Sequence, residues 1–419
     1  VSAQTTVIRD AETEDIIRGY ATPLLQAAGI APGDVDLILI NDNAINAFVA
    51  GGMNIFIFTG LLRNAGGPDE VIGVLAHEIG HIAGGHIARL GAELERASIE
   101  SLVAAVLGVA AAVASGRADV GAAVAVGGAS TAQRNLFAHT RVQESAADQA
   151  AFRYLDASGR SAEGLVALLE RLANQELVSD RFQDPYVRTH PLTRERVNTA
   201  RAAVAKARPG RMASPAEQAR FDRMQAKLAA FIDSPTKTLA SYTSDSPVDR
   251  YARSIAHFRR GDLGQALPLI DALIQATPDD AFLWELKGQM LFEGGRARDS
   301  ADAYAKAVAL RPNDSAILSP AARAYVESGD RIDEAIAMLR RTTLNEPRNA
   351  GAWRQLGIAL GRQGDIGEAS VALAEAAMLT GRRDDATLQA KRAQSQLPQG
   401  SPGWLRAEDI LRTAKPTRK

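Results

Sequence analysis

Apolar residues recur at helical spacing from about residue 5 to 28, and Val35-Asp36-Leu37-Ile38-Leu39-Ile40-Asn41 then reads as a strand. Two further short runs, Ala44 to Ala50 and Met53 to Thr59, flank Gly51-Gly52, a turn signal, so this region predicts a small antiparallel sheet. The period then becomes helical again. Pro68-Asp69-Glu70 places a proline and two acids in a first helical turn, and Gly84-Gly85 marks an end, which predicts a helix over 68–83. Further helical patterns run to about residue 204, where Pro209-Gly210 opens a linker.

Beyond that linker the pattern is wholly helical and repeats itself. Pro278 and Pro312 stand one 34-residue period apart, with Trp284 and Gly288 at the fourth and eighth positions of the second unit. That is the period of tetratricopeptide repeats. Trp353, Leu356, Gly357, Leu360, Ala369 and Ala376 occupy the helix-packing positions of the last clear unit. A middle unit with Ala322, Tyr325, Ala335 and Pro347 is one residue longer, and the first, with Ala266 and Pro278, shows mainly its second helix. Each of these residues taken alone is a packing position. Stacked together, the units build a concave surface of the kind that binds protein segments, so the array predicts a partner or substrate site. Four units are expected from about 248 to 382, with a capping helix beyond. The expected organisation is an α+β domain over 1–205, mostly helical with a small antiparallel sheet, and a helical linker over 206–247. An all-α repeat solenoid with its cap then covers 248–395, and 396–419 forms a tail.

Composition narrows the chemistry. The 419 residues are 46% hydrophobic, enough to bury real cores, and 48 basic against 49 acidic residues remove the electrostatic argument for nucleic acid. The absence of cysteine excludes disulfides, a thiol nucleophile and a thiolate metal site, so a transition metal must be held by His and carboxylates. The sequence starts at Val1, which fits a processed secretory protein and equally a trimmed one. The most apolar stretch, Leu102 to Ser115, is too short for a membrane span of about 20 residues.

His77-Glu78-Ile79-Gly80-His81 carries the most information. Histidines four apart share one helical face and can reach one zinc ion, with Glu78 beside them to take a proton from an attacking water and return it to the leaving amine. With six histidines in the chain, this spacing should arise by chance in roughly one such chain in a hundred, and the predicted helix supplies the context that the motif needs. A catalytic zinc needs a third protein ligand. One pattern would put a histidine at position 87, where the chain has Ile87, with His86 one residue out of register. The other needs a carboxylate on a later helix, which Glu144-Ser145-Ala146-Ala147-Asp148 supplies. There Glu144 is favoured as ligand, with Asp148 orienting a ligand histidine. Two solvated acids on a surface helix are the plain alternative. His86 and His139 are not expected to be ligands.

The two motifs, preceded by Asn46-Ala47-Phe48 and Gly51-Gly52-Met53-Asn54-Ile55 and followed by Thr189-His190-Pro191, resemble the HtpX and CAAX-prenyl-protease type of zinc endopeptidase. Fused to repeats, the layout is similar to the periplasmic members of that family that act in outer-membrane β-barrel assembly. The resemblance covers nearly the whole chain. It implies a gluzincin-like fold, one zinc per chain held by His77, His81 and Glu144, periplasmic localisation after removal of a signal peptide, and quality control of misassembled envelope proteins. It implies misfolded proteins as substrates, and the β-barrel assembly machinery as a partner of the repeats. It also implies that Met53 to Thr59 is an edge strand on which substrate lies extended, with Asn46, Ala47, Phe48, Asn54 and Ile55 in the substrate site, which fits strand addition as a peptide-binding mode. For Phe48, burial in the core is an equal reading. In relatives with this layout the histidine before proline approaches the metal, so His190 is expected either to close the site as an extra ligand or to stabilise the oxyanion. Arg196 is either a buried partner of Asp148 or a surface charge.

The Ala, Val and Gly stretch from 102 to 130 admits three readings: a lid over the cleft, a pair of buried helices, or a surface touching the membrane. Two rival functions stand beside the peptidase. One is a repeat-based chaperone or assembly scaffold with a largely autoinhibited peptidase domain, and the other a cytosolic peptidase regulated by a repeat partner. Glu78 separates the first rival, since a scaffold needs no base beside a metal.

Overall fold

The computed structural model describes residues 6–86, 141–173, 186, 190, 194–206 and 209–414. The stretch 102–130 and His139 lie outside them, so the three readings of that stretch are not addressed. The described residues divide into two compact units, Val1–Ala229 and Ala230–Lys419.

The first unit opens with a strand, β1 (Thr6–Ile8), where the periodicity predicts helix. Asp10 then caps helix α1 (Ala11–Ala27) by accepting from the Thr13 amide. Strands β2 (Asp36–Asn41), β3 (Ala47–Ala50) and β4 (Asn54–Phe58) follow. The sheet order is β1-β2-β4-β3, with β3 and β4 antiparallel across the Gly51-Gly52 turn. β4 runs parallel to β2, however, so the sheet is mixed rather than antiparallel. The segment expected at the edge, β4, is therefore interior, and β3 is the outer strand on its side of the sheet, with β1 at the other edge. The chain passes from β2 to the far position and returns between, an order that strand periodicity does not encode.

After the short α2 (Thr59–Asn64), α3 (Pro68–Ala83) starts on Pro68 and stops at Gly84, with Gly85 at φ 63°. Buried from Val71 through His81, α3 is the central helix of the unit. It packs against α1, β3, α4 (Arg141–Ala157) and α5 (Glu163–Ala173). Two glycines permit the close approaches: a Cβ on Gly73 would lie 2.7 Å from that of Leu165, and one on Gly80 2.8 Å from the Ala147 carbonyl oxygen.

Helix α6 (Arg194–Lys206) follows α5, and α7 (Pro215–Ile232) occupies the segment expected as linker. Most of α7 is built into the first unit. Lys227 reaches Asp10 at 2.5 Å, Gln225 donates to the Leu62 and Ala65 carbonyls, and Arg223 pairs with the buried Glu12. Glu217 takes Arg160 and Arg211, and the Ala213 amide donates to Asp69 in the first turn of α3.

The second unit holds α8 (Pro235–Ser241) and four helix pairs: α9 (Pro247–Arg259) with α10 (Leu263–Ala276), α11 (Ala281–Glu293) with α12 (Ala297–Leu310), α13 (Ser315–Ser328) with α14 (Ile332–Asn345), and α15 (Ala350–Gln363) with α16 (Ile366–Leu379). The signature positions have physical causes. A Cβ on Gly288 would lie 2.7 Å from the Tyr304 ring, and one on Gly357 2.7 Å from Leu373, so glycine lets each helix approach its partner. The indole nitrogens of Trp284 and Trp353 donate to the Pro278 and Pro347 carbonyls at 2.8 and 2.9 Å, tying each unit to the turn before it. Beyond the pairs stand α17 (Arg383–Gln396) and α18 (Pro402–Ala414), the latter within the segment expected as a tail. Its packing is explained by the alanines that α17 and α18 bury together. Among the described residues no helix is long and apolar enough to cross a membrane.

Candidate metal centre

Helices α3 and α4 bring the two sequence motifs face to face at the Gly80–Ala147 contact, and His77, Glu78, His81 and Glu144 are all fully buried there. His77 Nε2 and His81 Nε2 lie 3.1 Å apart, one helical turn separating their residues. Glu144 offers Oε2 at 3.3 Å from His77 Nε2 and Oε1 at 3.3 Å from His81 Nε2. A fourth donor, His190 Nδ1, lies 3.3 Å from His77 Nε2 and 3.1 Å from Glu144 Oε1.

These spacings test whether the residues fit a metal. Ligand bonds of about 2.0–2.1 Å in a tetrahedron set donor atoms about 3.3 Å apart, close to the 3.1–3.3 Å of the pairs above, and one donor atom from each of the four residues lies within 4.8 Å of all the others. The donor chemistry agrees. His77 hydrogen-bonds through Nδ1 to Asp148 Oδ1 at 2.9 Å, which leaves Nε2 of the neutral ring as a lone pair aimed at the other donors. His81 Nδ1 is engaged in the same way by His86 Nδ1 at 3.0 Å. Nitrogen and carboxylate lone pairs converging in a fully buried site repel one another unless a cation or protons stand between them. His77, His81, Glu144 and His190 could thus hold a metal ion.

The electrostatics show the same demand for positive charge. Burial alone would lower the His77 pKa, but the Glu144 charge and the Asp148 hydrogen bond raise it to about 10. Burial would raise Glu144, yet the His190 and His77 rings beside it hold its carboxyl well below the usual range. Asp148 is likewise held low, against its burial, by hydrogen bonds from His77 and Arg196. Glu78 goes the other way. Buried on the same helix, with neither oxygen in a hydrogen bond among the described residues and His190 Nε2 3.4 Å from Oε1, it is pushed up by desolvation.

The structure also places the surrounding residues. Arg196, on α6, is buried and grips both α4 acids: Nε and Nη2 donate to Asp148 at 2.7 and 2.9 Å, and Nη1 lies 2.8 Å from Glu144 Oε2. Tyr186 stacks on His190 with ring centroids 4.7 Å apart, a partner that the isolated sequence does not mark. His86, outside the four-donor group, instead steadies His81. The five residues expected at a substrate site lie on β3, β4 and the chain just before β3. Phe48 is core, stacked on Phe56 at 4.8 Å, and Asn46, Ala47 and Ile55 are buried. The Asn54 amide donates to the Gly51 carbonyl at 2.6 Å and so braces the β3–β4 turn. What β3 does present is backbone, and the Ala47 carbonyl accepts from His190 Nε2 at 3.2 Å.

Comparison with known proteins agrees with this organisation. Residues 8–204 match peptidase family M48, and residues 251–315 and 291–357 match tetratricopeptide repeats. The Escherichia coli (strain K12) beta-barrel assembly-enhancing protease is 26% identical over 404 residues, covering 94% of this chain and 81% of that one. The protein of the same name from Yersinia pestis is 27% identical over 352 residues, covering 82% and 71%. Among solved structures, MamA aligns at 18% identity and TM-score 0.34, covering 38% of this chain and 93% of its own. The buried His, His, Glu and His donor group lies inside the segment that matches peptidase family M48, and with that match and the two protease relatives the chain is a metallopeptidase with tetratricopeptide repeats behind the matched segment.

Proposed function

We propose that this protein is a zinc-dependent endopeptidase that cleaves misfolded or misassembled envelope proteins in the periplasm, in outer-membrane β-barrel quality control, with the repeats recruiting substrate or the assembly machinery. The observation that carries the catalytic part is a convergent group of buried nitrogen and carboxylate donors within 4.8 Å of one another, with a desolvated glutamate beside it that has no hydrogen bond among the described residues. The envelope role rests on the names of the two protease relatives. The proposed division assigns catalysis to residues 1–205, a helical link to 206–247, recruitment to the repeats and capping helix of 248–395, and a C-terminal tail to 396–419.

In this reading His77, His81 and Glu144 hold one zinc per chain, a donor set that suits zinc. When bound, the ion supplies Lewis-acid polarisation of the scissile carbonyl and lowers the pKa of the attacking water. Glu78 accepts a proton from that water and returns it to the leaving amine, and its raised pKa suits both directions. Asp148 fixes the His77 tautomer, and Arg196 fixes Asp148 and Glu144. The backbone of β3, the outer strand, is where an extended substrate pairs.

A second reading is favoured by His190. Its Nδ1 occupies the fourth donor place and its Nε2 caps the Ala47 carbonyl of the outer strand, so one side chain holds both the open ligand position and a strand acceptor. On that reading the peptidase is held closed and the repeats act chiefly as a chaperone or scaffold. Metal analysis and casein cleavage on the natural protein, Glu78→Gln, Glu144→Ala and His190→Ala separate the two. Metal retained without cleavage in Glu78→Gln, metal lost in Glu144→Ala, and cleavage raised in His190→Ala support a gated peptidase. No metal in any of the four proteins ends the enzymatic reading.

A further inference from the structure

The first helices of successive repeats carry one stripe each in a common register, half-buried at Glu285, Gln289 and Ser319 and exposed at the other six positions. Glu285, Gln289 and Glu293 on α11 correspond to Ser319, Arg323 and Glu327 on α13 and to Arg354, Ile358 and Arg362 on α15, four residues apart within each helix. Cross-helix contacts put the stripes on one face. The Arg323 guanidinium lies over the Phe292 ring of α11 at 4.6 Å, and Arg362 pairs with Glu327 of α13 at 3.0 Å while donating to the Val326 carbonyl.

The face is not electrically uniform. On α11 the stripe is acidic at both ends, whereas on α13 and α15 three arginines face a single acid. Arg354 is exposed and has no ion-pair partner among the described residues, and the charge of Arg323 meets only the Phe292 ring there. Ile358, one turn from Arg354 and at the register position that Arg323 holds on α13, is 43% exposed. An exposed aliphatic group on a face that also carries Arg323 and Arg354 matches an occupant that supplies carboxylates beside an apolar side chain.

We propose that the α13–α15 face of the repeats docks an extended acidic peptide segment, with an aliphatic side chain seated on Ile358 and carboxylates on Arg323 and Arg354. Phe292 stiffens Arg323 by stacking, and Glu327 holds Arg362, so these side chains are partly ordered before the peptide arrives, which reduces the entropy lost on binding. The acidic stripe of α11 repels the same segment and fixes the direction in which it lies. This deepens the recruiting role proposed above for the repeats and names the chemistry of what they recruit.

The test is fluorescence anisotropy on the full-length Glu78→Gln protein, so that the probe is not cut. The probe is a labelled 12-residue peptide of alternating glutamate and leucine, compared with its glutamine counterpart. The acidic peptide should bind and weaken with salt, and the glutamine peptide should bind at least about tenfold less tightly. Arg354→Glu and Arg323→Glu should each cost about tenfold, and Ile358→Ser a similar factor, with metal content unchanged. Arg298→Glu, on the exposed start of α12, controls for net charge and should bind as the parent does. Equal binding of both peptides, or reversal variants no weaker than the Arg298→Glu control, would overturn the proposal. So would equally strong displacement by an oligonucleotide of matched charge, since that would show general anion attraction. The readout does not depend on bound metal, so a failure of the peptidase reading leaves it interpretable.

Discussion

Replacing Asp148 by Asn tests the organisation of the metal centre with the smallest change of shape. The carboxylate accepts from His77 Nδ1 on one side and from Arg196 Nε and Nη2 on the other, at 2.9, 2.7 and 2.9 Å, and the residue is only 4% exposed. Oδ1 accepts from both His77 Nδ1 and Arg196 Nη2 and Oδ2 from Arg196 Nε, so an amide turns its NH2 either toward Arg196 Nε or toward His77 Nδ1 and Arg196 Nη2; a donor faces a donor whichever way it turns, and the charge that steadies the His77 proton is lost in both. Losing the group that orients a ligand histidine costs about 10–100-fold in metal affinity, or ~1.4–2.7 kcal/mol. Arg196 keeps Glu144 at 2.8 Å, so the cost to folding is that of one charge-assisted contact, about 2 kcal/mol, which lowers Tm by about 4–8 °C for a domain of this size. Competition against a chelating dye gives the affinity, and a thermal melt of the metal-free protein gives the stability term separately. Affinity within about twofold of the natural protein would refute the view that Asp148 sets the His77 tautomer.

Four further outcomes follow from the same contacts. Gly80→Ala puts a Cβ 2.8 Å from the Ala147 carbonyl oxygen and should force α3 and α4 apart, costing about 1–3 kcal/mol in urea unfolding and lowering metal occupancy. Phe48→Ala should cost about 3–5 kcal/mol of stability, because Phe48 is packed in the core with Phe56 and Phe58; unchanged stability with a raised KM would instead return it to the substrate site. The Arg211 and Arg160 contacts hold Glu217 below the usual carboxylate range, so its contribution is present above the unfolded pKa near 4.5 and fades as pH falls through the folded value. Glu217→Gln should therefore lose about 2 kcal/mol at pH 7, with the gap narrowing as pH drops below about 5, read by denaturant unfolding at several pH values. Finally, His77 is held protonated up to about 10 without metal, so metal uptake at neutral pH should release about one proton, measured by calorimetry in buffers of different ionisation enthalpy.

The sequence by itself determined what is local in origin. The proline, acids and paired glycines that bound α3 follow from backbone stereochemistry, and the 34-residue period follows because each repeat must offer its neighbour the same packing surface. The spacing of His77 and His81 likewise needed only the helical pitch to place both imidazoles on one face. What crosses between distant segments was decided only in the tertiary structure. The parallel pairing of β2 with β4 moved the expected edge strand inside the sheet, because strand order depends on where the chain returns and not on its alternation. Helix α7 joined the first unit through ion pairs to acids some two hundred positions earlier, a complementarity invisible to period and composition. The same holds at the centre itself. Stacking of Tyr186 on His190, bridging of Asp148 and Glu144 by Arg196, and support of His81 by His86 arise from packing in three dimensions, where a buried charge or ring must find its partner wherever the fold provides one.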